Sequence, residues 1–317
     1  MSSRRLGADV ERSYSRYYPD LESLTVIRED FLTQLEPGDQ VCHARALDGL
    51  SGSLLGLWER PLCVGGVLLR PEFTGIVLPV SWEGVYLMNG HLMAANEAFA
   101  FDGCDGFVSR GKNRFLYALA LEKSQLEKSL AALRGVGRES ISLPLGPLHL
   151  PAAMRNELSR RFHAWLHADQ RVAGEQVAGK PVMESLYQCL LEIHIASTPE
   201  VERSNSSWRR ASRTVRLAMD EFARLNGHVS LADLCAAASV SRSTLYAAFQ
   251  QVAGMAPLQY FRARGINDVH QQLTDADYRR GAVGEIAMRA GFTELGRFSA
   301  EYRKVYGVNP SVTLAQN

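Results

Sequence analysis

The sequence predicts an α+β chain: a strand-rich N-terminal body shaped as a small barrel or sandwich, helices behind it, and an all-helical C-terminal third. Three observations predict it. Residues 40–120 carry short runs rich in Val, Leu, Tyr and Phe ("GIVLPVSW", "GVYLMNG", "NRFLYALAL"), punctuated by Gly65, Gly66, Gly75, Gly84, Gly90, Gly103, Gly106 and Gly111. Regularly spaced short strands with such turns suit a small closed or two-layered sheet. From Arg209 onward strand-like runs are gone and everything reads as helix. Within that part the chain repeats itself.

Bulk properties narrow the class. At 317 residues two domains are expected, each long enough to bury a core. With 46% hydrophobic and 22% charged residues, the composition is that of a soluble globular protein. The five cysteines (Cys42, Cys63, Cys104, Cys189, Cys235) are odd in number, scattered and never spaced C-x-x-C. That argues against a disulfide framework or a zinc site and fits a reducing cytoplasm. The start "MSSRRLGADVERSYSRYYPD" is basic but has no apolar segment behind it, so no secretory signal is expected. No run of about 18 apolar residues occurs, so no membrane span is expected either.

The net charge of +1 conceals an asymmetry. Residues 209–317 hold 14 Lys and Arg against 9 Asp and Glu, while the preceding 208 hold 21 against 25. A basic third on a slightly acidic body is what nucleic-acid binding needs, although a solvated basic face has the same composition.

The elements follow in order. "MNGH" offers an Asn-Gly hairpin turn inside the strand region. After residue 120, "EKSQLEKSLAALRG" reads as a helix ending at Gly135, and "LPAAMRNELSRRFHAWLHADQ" as a second, opened by Pro151. "KPVMESLYQCLLEIHIA" is a third, with Met183, Leu186, Tyr187, Leu190, Leu191 and His194 along one face. The polar, Ser-rich "STPEVERSNSSW" around Pro199 reads as an interdomain linker. The expected layout is a regulatory and dimerisation domain over 1–197 (barrel about 40–120, helices about 121–197), a linker over 198–208 and a helical domain over 209–317.

The repeat pairs "LCAAASVSRSTLYAAFQQVAGMAP" (234–257) with "IAMRAGFTELGRFSAEYRKVYGVNP" (286–310). Leu234 matches Ile286, Ala238 matches Ala290, Ser239 matches Gly291 and Val240 matches Phe292. After one extra residue in the second copy, Leu245 matches Phe298, Phe249 matches Tyr302, Gly254 matches Gly307 and Pro257 matches Pro310. Each copy is a short helix, a turn, a longer amphipathic helix and a G-x-x-P stop. Gly291 suits a left-handed turn, and Ser241 can cap the helix that follows it. A helix over 258–274 spans on the order of 25 Å at about 1.5 Å per residue. That can set two recognition helices roughly one DNA turn, about 34 Å, apart.

Residues 209–317 resemble the DNA-binding domain of the AraC/XylS family of bacterial transcription regulators. The resemblance rests on "LADLCAAASVSRSTLYAAF", the G-x-x-P stop and "IAMRAGFTELGRFSAEYRKVYGVNPSVTL", and covers about a third of the chain. It implies two helix-turn-helix units (231–252 and 283–306) and, before them, a cupin-like β-barrel followed by helices. It further implies binding to double-stranded promoter DNA, work with RNA polymerase, a homodimer, and a small-molecule effector sensed by the barrel.

In a helix-turn-helix the second helix presents its N-terminal residues to the base edges. The base-contact candidates are therefore Arg242, Ser243, Tyr246 and Ala247 in the first unit, with Leu245 and Phe249 turned to the core. In the second unit they are Glu294, Leu295, Gly296, Arg297, Ser299 and Ala300, with Arg297 foremost. Phosphate candidates are Arg209, Arg210, Arg213, Arg262, Arg303 and Lys304. The apolar face from Met183 to His194 is the expected dimer seam, the alternative being that it packs on its own barrel. For an effector pocket the candidates are aromatic: Trp58, Trp82, Tyr86 and Phe101.

Three other functions compete with this one. A metal-dependent cupin enzyme would need an H-x-H pair, a Glu and a further His, whereas "NGHLMAANEAF" offers only His91 and Glu97. A DNA-repair alkyl acceptor is faintly suggested by "VCHAR", but Val41 stands where a proline belongs and Ala44 separates His43 from Arg45. A regulator controlled by partner proteins or proteolysis, without a small molecule, is open. The expectation is a protein that is not an enzyme and holds no cofactor or metal.

Overall fold

The computed structural model describes residues 10–14, 24–38, 41–49, 51–103, 106–167, 179–199, 205–276, 279 and 281–315. Cys104 and part of the linker, 200–204, lie outside the described residues.

Eleven strands form one antiparallel sheet: β1 (Val10–Tyr14), β2 (Ile27–Gln34), β3 (Val41–Gly49), β4 (Gly52–Arg60), β5 (Cys63–Leu69), β6 (Phe73–Met88), β7 (His91–Leu92), β8 (Glu97–Asp102), β9 (Phe107–Glu122), β10 (Gly146–His149) and β11 (Thr198–Pro199). Their order is β1-β3-β4-β9-β6-β8-β10-β11. β5 pairs with the other half of β9, β2 pairs with β5, and β7 hairpins onto β6. Among the described residues no strand pair closes this path into a ring, and strands outside 40–120 extend it at both ends.

The spine is the pair of 16-residue strands β6 and β9, in which Ile76 faces Leu119 and Leu78 faces Tyr117. The sequence suggests two strands where β6 is continuous through Pro79. Pairing with β9 is interrupted by register shifts between Pro79 and Leu87, which bend the strand without ending it. The expected Asn-Gly turn is present, with Asn89 and Gly90 at φ 47° and 81°.

Alternation along the spine builds two cores. Val77, Leu116 and Ala120 point into an inner cluster with Tyr86, Phe99 and Phe101. Ile76, Leu78, Leu119 and Leu121 point the other way, against α1 (Lys123–Arg134), α2 (Ala152–His167) and α3 (Gly179–Ala196). Burial on both faces explains the nearly continuous apolar runs of these strands.

The α3 stripe packs on the chain's own sheet, as in the alternative to the expected dimer seam. Leu186 and Leu190 are fully buried and His194 nearly so, while Met183, Tyr187 and Leu191 pack on the same cluster. The Tyr187 hydroxyl accepts from the Glu122 N–H and donates to the Ser51 carbonyl, each at 3.1 Å. Half of this face is buried against the chain's own sheet, and Met183, Tyr187 and Leu191 remain half-buried.

The linker is also shorter than its composition suggests. Thr198 and Pro199 pair with β10, and α4 (Asn205–Arg224) begins inside the Ser-rich stretch, where Asn and Ser suit a helix start.

After α4 come α5 (Leu231–Ala238), α6 (Arg242–Ala253), α7 (Pro257–Asp275), α8 (Ala282–Arg289), α9 (Leu295–Tyr306) and α10 (Pro310–Ala315). Val215, Leu234, Leu245, Phe249 and Phe261 form one core from α4 to the start of α7. Ile266, Leu273, Ile286, Phe298, Tyr302 and Leu314 form a second from the rest of α7 to α10. No helix among the described residues is long and apolar enough to cross a membrane.

The sheet is clasped to this helical part. The Asn267 side chain on α7 accepts from the Gln34 N–H at 2.9 Å, donates to the Gln34 carbonyl at 3.2 Å and accepts from the Tyr306 hydroxyl at 3.0 Å. Gln34 Nε2 donates to the Val305 carbonyl at 3.2 Å. Val64 of β5 is wholly buried in the first helical core. At Gly90 a Cβ would come within 2.6 Å of the Gln251 carbonyl on α6, so only glycine lets the β6–β7 turn approach. Asn267→Ala leaves several of these groups without partners and is expected to cost about 1–3 kcal/mol. A urea midpoint equal to that of the wild type would show that the clasp carries no load.

Candidate nucleic-acid interface

The two repeats fold alike where they must and differ at their helix starts. α5 opens with a capping box: Ser230 Oγ accepts from the Asp233 N–H at 3.3 Å, and Asp233 Oδ2 accepts from the Ser230 N–H at 2.8 Å. These bonds hold the Asp233 carboxyl below its ordinary range. α5 ends at Ser239 in the left-handed region, φ 53°, and the equivalent Gly291 has φ 88°. Ser241 then caps α6, its hydroxyl accepting from the Thr244 N–H at 3.1 Å. At the start of α9, Glu294 makes no such side-chain bond. Both long helices end at a left-handed glycine, Gly254 and Gly307, and Pro257 and Pro310 open the helices that follow.

This scaffold fixes which side chains point outward. On α6, Arg242, Ser243, Tyr246 and Ala247 are exposed while Leu245 and Phe249 are fully buried. On α9, Leu295, Gly296, Arg297 and Ala300 are exposed, Ser299 is half-buried, and Phe298 and Tyr302 are fully buried. Glu294, just before the helix, is exposed. Tyr302 replaces the first unit's Phe249 and brings a hydroxyl into the second core. It donates to Thr313 Oγ1 at 2.8 Å and meets His270 Nδ1 at 2.5 Å.

The cations are unequal. Arg210, Arg213, Arg303 and Lys304 are exposed. Arg209 is half-buried in a small cavity shared with Lys123 and Glu127, so it faces the sheet domain instead of an open surface. Arg262 and Arg297 share one carboxylate, Glu301, the second at 3.2 Å. Burial works to raise the Glu301 carboxyl, but its bonds and charges from Arg262 and Arg297 outweigh that and hold it low. Glu301 was missed in the sequence. Its i, i+4 spacing from Arg297 is legible, but the approach of Arg262 from α7 is a tertiary fact.

Of the aromatic candidates, Trp82, Tyr86 and Phe101 join the inner core, with the Trp82 and Tyr86 rings 5.5 Å apart. Trp58 stands apart, 37% exposed beneath Arg60. The sequence reading also missed the buried ion pair of Glu59 with Arg114, whose guanidinium lies 5.8 Å from the Tyr86 ring centre. Burial pushes the Tyr86 hydroxyl up to about 12. His91 and Glu97 form a hydrogen-bonded cluster: the Glu97 carboxylate engages His91 at 2.9 Å, the Ala94 N–H at 2.8 Å and His149 at 3.5 Å.

Comparison with known proteins gives the helical part its place. A family model described as a helix-turn-helix domain matches residues 234–316, both repeats together. Residues 234–316 form a helix-turn-helix domain. Over 92 residues it is 37% identical to the "XylDLEGF operon transcriptional activator" of Pseudomonas putida, a match covering 29% of each chain. A "putative AraC-like transcription regulator" of Streptomyces antibioticus is 28% identical over 172 residues, covering 51% of this chain and 54% of that one. The matches thus span between 29% and 54% of the length of these relatives. Among solved structures, the AraC-like transcriptional activator CuxR aligns over 74% of this chain and 84% of its own, at 12% identity and a TM-score of 0.39.

Ser239, unlike Gly291, carries a side chain at a left-handed position, and it is exposed. Ser239→Gly in this helix-turn-helix domain is expected to stabilise it by roughly 0.5–1 kcal/mol. A melting temperature that fails to rise would mean the turn is not strained.

Proposed function

We propose that the chain is a bacterial transcription regulator that sets α6 and α9 into successive major grooves of promoter DNA. The observation that carries this reading is the equivalence of the two exposed helix starts, Arg242–Ala247 and Leu295–Ala300, each backed by buried partners at matching repeat positions. α7, 19 residues long, separates them. At about 1.5 Å per residue it spans roughly 28 Å, close to one turn of DNA. Arg242 and Arg297 read bases, Arg210, Arg213, Arg303 and Lys304 hold phosphates, and Arg262 steadies α9 through Glu301.

In this reading the sheet domain is a cupin-like sensor whose inner core, around Trp82, Tyr86 and Phe101, takes a small-molecule effector. The relatives' names favour activation, hence contact with RNA polymerase in the cytoplasm. A homodimer would use the outer side of the helical layer, where Leu133, Val136 and Ile195 are exposed, because the α3 stripe is already packed. The second reading, control by a partner protein without an effector, shares the DNA-binding half.

Genome-wide mapping of bound DNA with the wild type and an Arg242→Ala/Arg297→Ala variant tests this. The wild type should give sharp peaks with two sub-sites about one helical turn apart. On such a site Arg242→Ala alone should weaken binding about 5- to 150-fold, the loss of one guanine contact worth about 1–3 kcal/mol. Peaks unchanged in the double variant would sink the reading. Glu301→Gln releases Arg262 and Arg297 from their shared anion. It should weaken binding to such a site several-fold while leaving the salt slope unchanged, since neither arginine is assigned to a phosphate; unchanged affinity would show that Glu301 does not position them.

A further inference from the structure

A cavity of about 920 Å³ lies in the cleft between the sheet and the helical domain, and Phe107, which lines it, also belongs to the sheet's inner core. Val67 and Phe107 of the β5–β9 edge face Met219 and Phe222 of α4, with Tyr260 and Phe261 of α7 behind them. One end is shut by backbone. A Cβ on Gly227 would stand 2.8 Å from the Ala290 carbonyl, so the turn after α4 and the turn after α8 lie against each other there. The size and apolar walls are those of a small-molecule pocket.

Two features of the polar lining limit what fits. Ser212 on α4 lines the cavity, is only 5% exposed, and its hydroxyl has no hydrogen-bond partner. A buried hydroxyl in that state loses free energy that a ligand group can restore. The charges lining the cleft balance: Arg216, Arg264 and Arg289 against Asp220, Asp268 and Asp275, with Arg264 and Asp268 paired at 3.0 Å. An anion or a cation would meet as much repulsion as attraction. Burial raises the Asp268 carboxyl, against the Arg264 charge, as expected for a wall partly withdrawn from water.

We infer that this interdomain cleft binds a neutral, largely apolar small molecule carrying a hydrogen-bonding group for Ser212. Its walls belong to both domains, so an occupant stabilises the arrangement in which they are clasped. Nothing in the binding requires DNA, and the site adjoins the aromatic core proposed for the effector, because Phe107 of its wall packs on Phe101 with ring centres 4.8 Å apart.

The test is titration of the full chain with Nile red, a neutral dye that brightens in apolar surroundings, beside the anionic dye 1-anilinonaphthalene-8-sulfonate. Ala223→Trp on α4 and Gln272→Trp on α7 each place an indole in the cleft from an exposed position, sparing both cores. Saturable binding of one Nile red is expected, weakened at least tenfold in both variants, with their melting temperatures and their binding of the anionic dye unchanged. Nile red affinity within twofold of wild type in both variants would overturn the site. So would displacement of the anionic dye alone, which would show that the cleft selects charge.

Discussion

Everything in the C-terminal half depends on one helix belonging to two cores. Tyr260 and Phe261, in the first turns of α7, close the first helical core, while Ile266, Val269 and Leu273 close the second. Gly265 sits at the changeover, where a Cβ would stand 3.2 Å from the Phe292 ring. The helix therefore accepts about one kcal/mol of lost propensity at that residue to bring the α8–α9 turn close. Neither unit can rotate against the other without unpacking one end of α7.

The repeat made most of this half legible. Positions paired in the sequence, Leu245 with Phe298 and Phe249 with Tyr302, are buried in pairs, because the same local geometry must bury the same positions. What the repeat could not give was the difference between its copies, such as the Tyr302 hydroxyl bonded to Thr313 and His270, a partner 32 residues away. The sheet half was legible in its strands and its Asn89–Gly90 turn but not in its connectivity. β1, β10 and β11 are short and join the sheet from sequence-distant places, and short edges carry little local signal. The α3 stripe was visible, yet an apolar face does not say what covers it.

Charge follows the same division. Arg297 stands near the start of an exposed helix, a place legible in the sequence. Its tie to Glu301, and through Glu301 to Arg262, makes α7 and α9 one electrostatic unit. Arg209 differs, since its position on α4 turns it toward Lys123 and Glu127. Counting basic residues thus overstates the cations on the open surface.

The places where the sheet touches the helical part have one more consequence. Gly90 meets α6 at Gln251, near its C-terminal end, and Gln34 meets α9 at Val305, near the corresponding end. The sheet thus behaves as a caliper, gripping both long helices by their tails and leaving their tips open. Because α7 already ties the two units together, this grip at the tails helps hold the distance between those tips fixed.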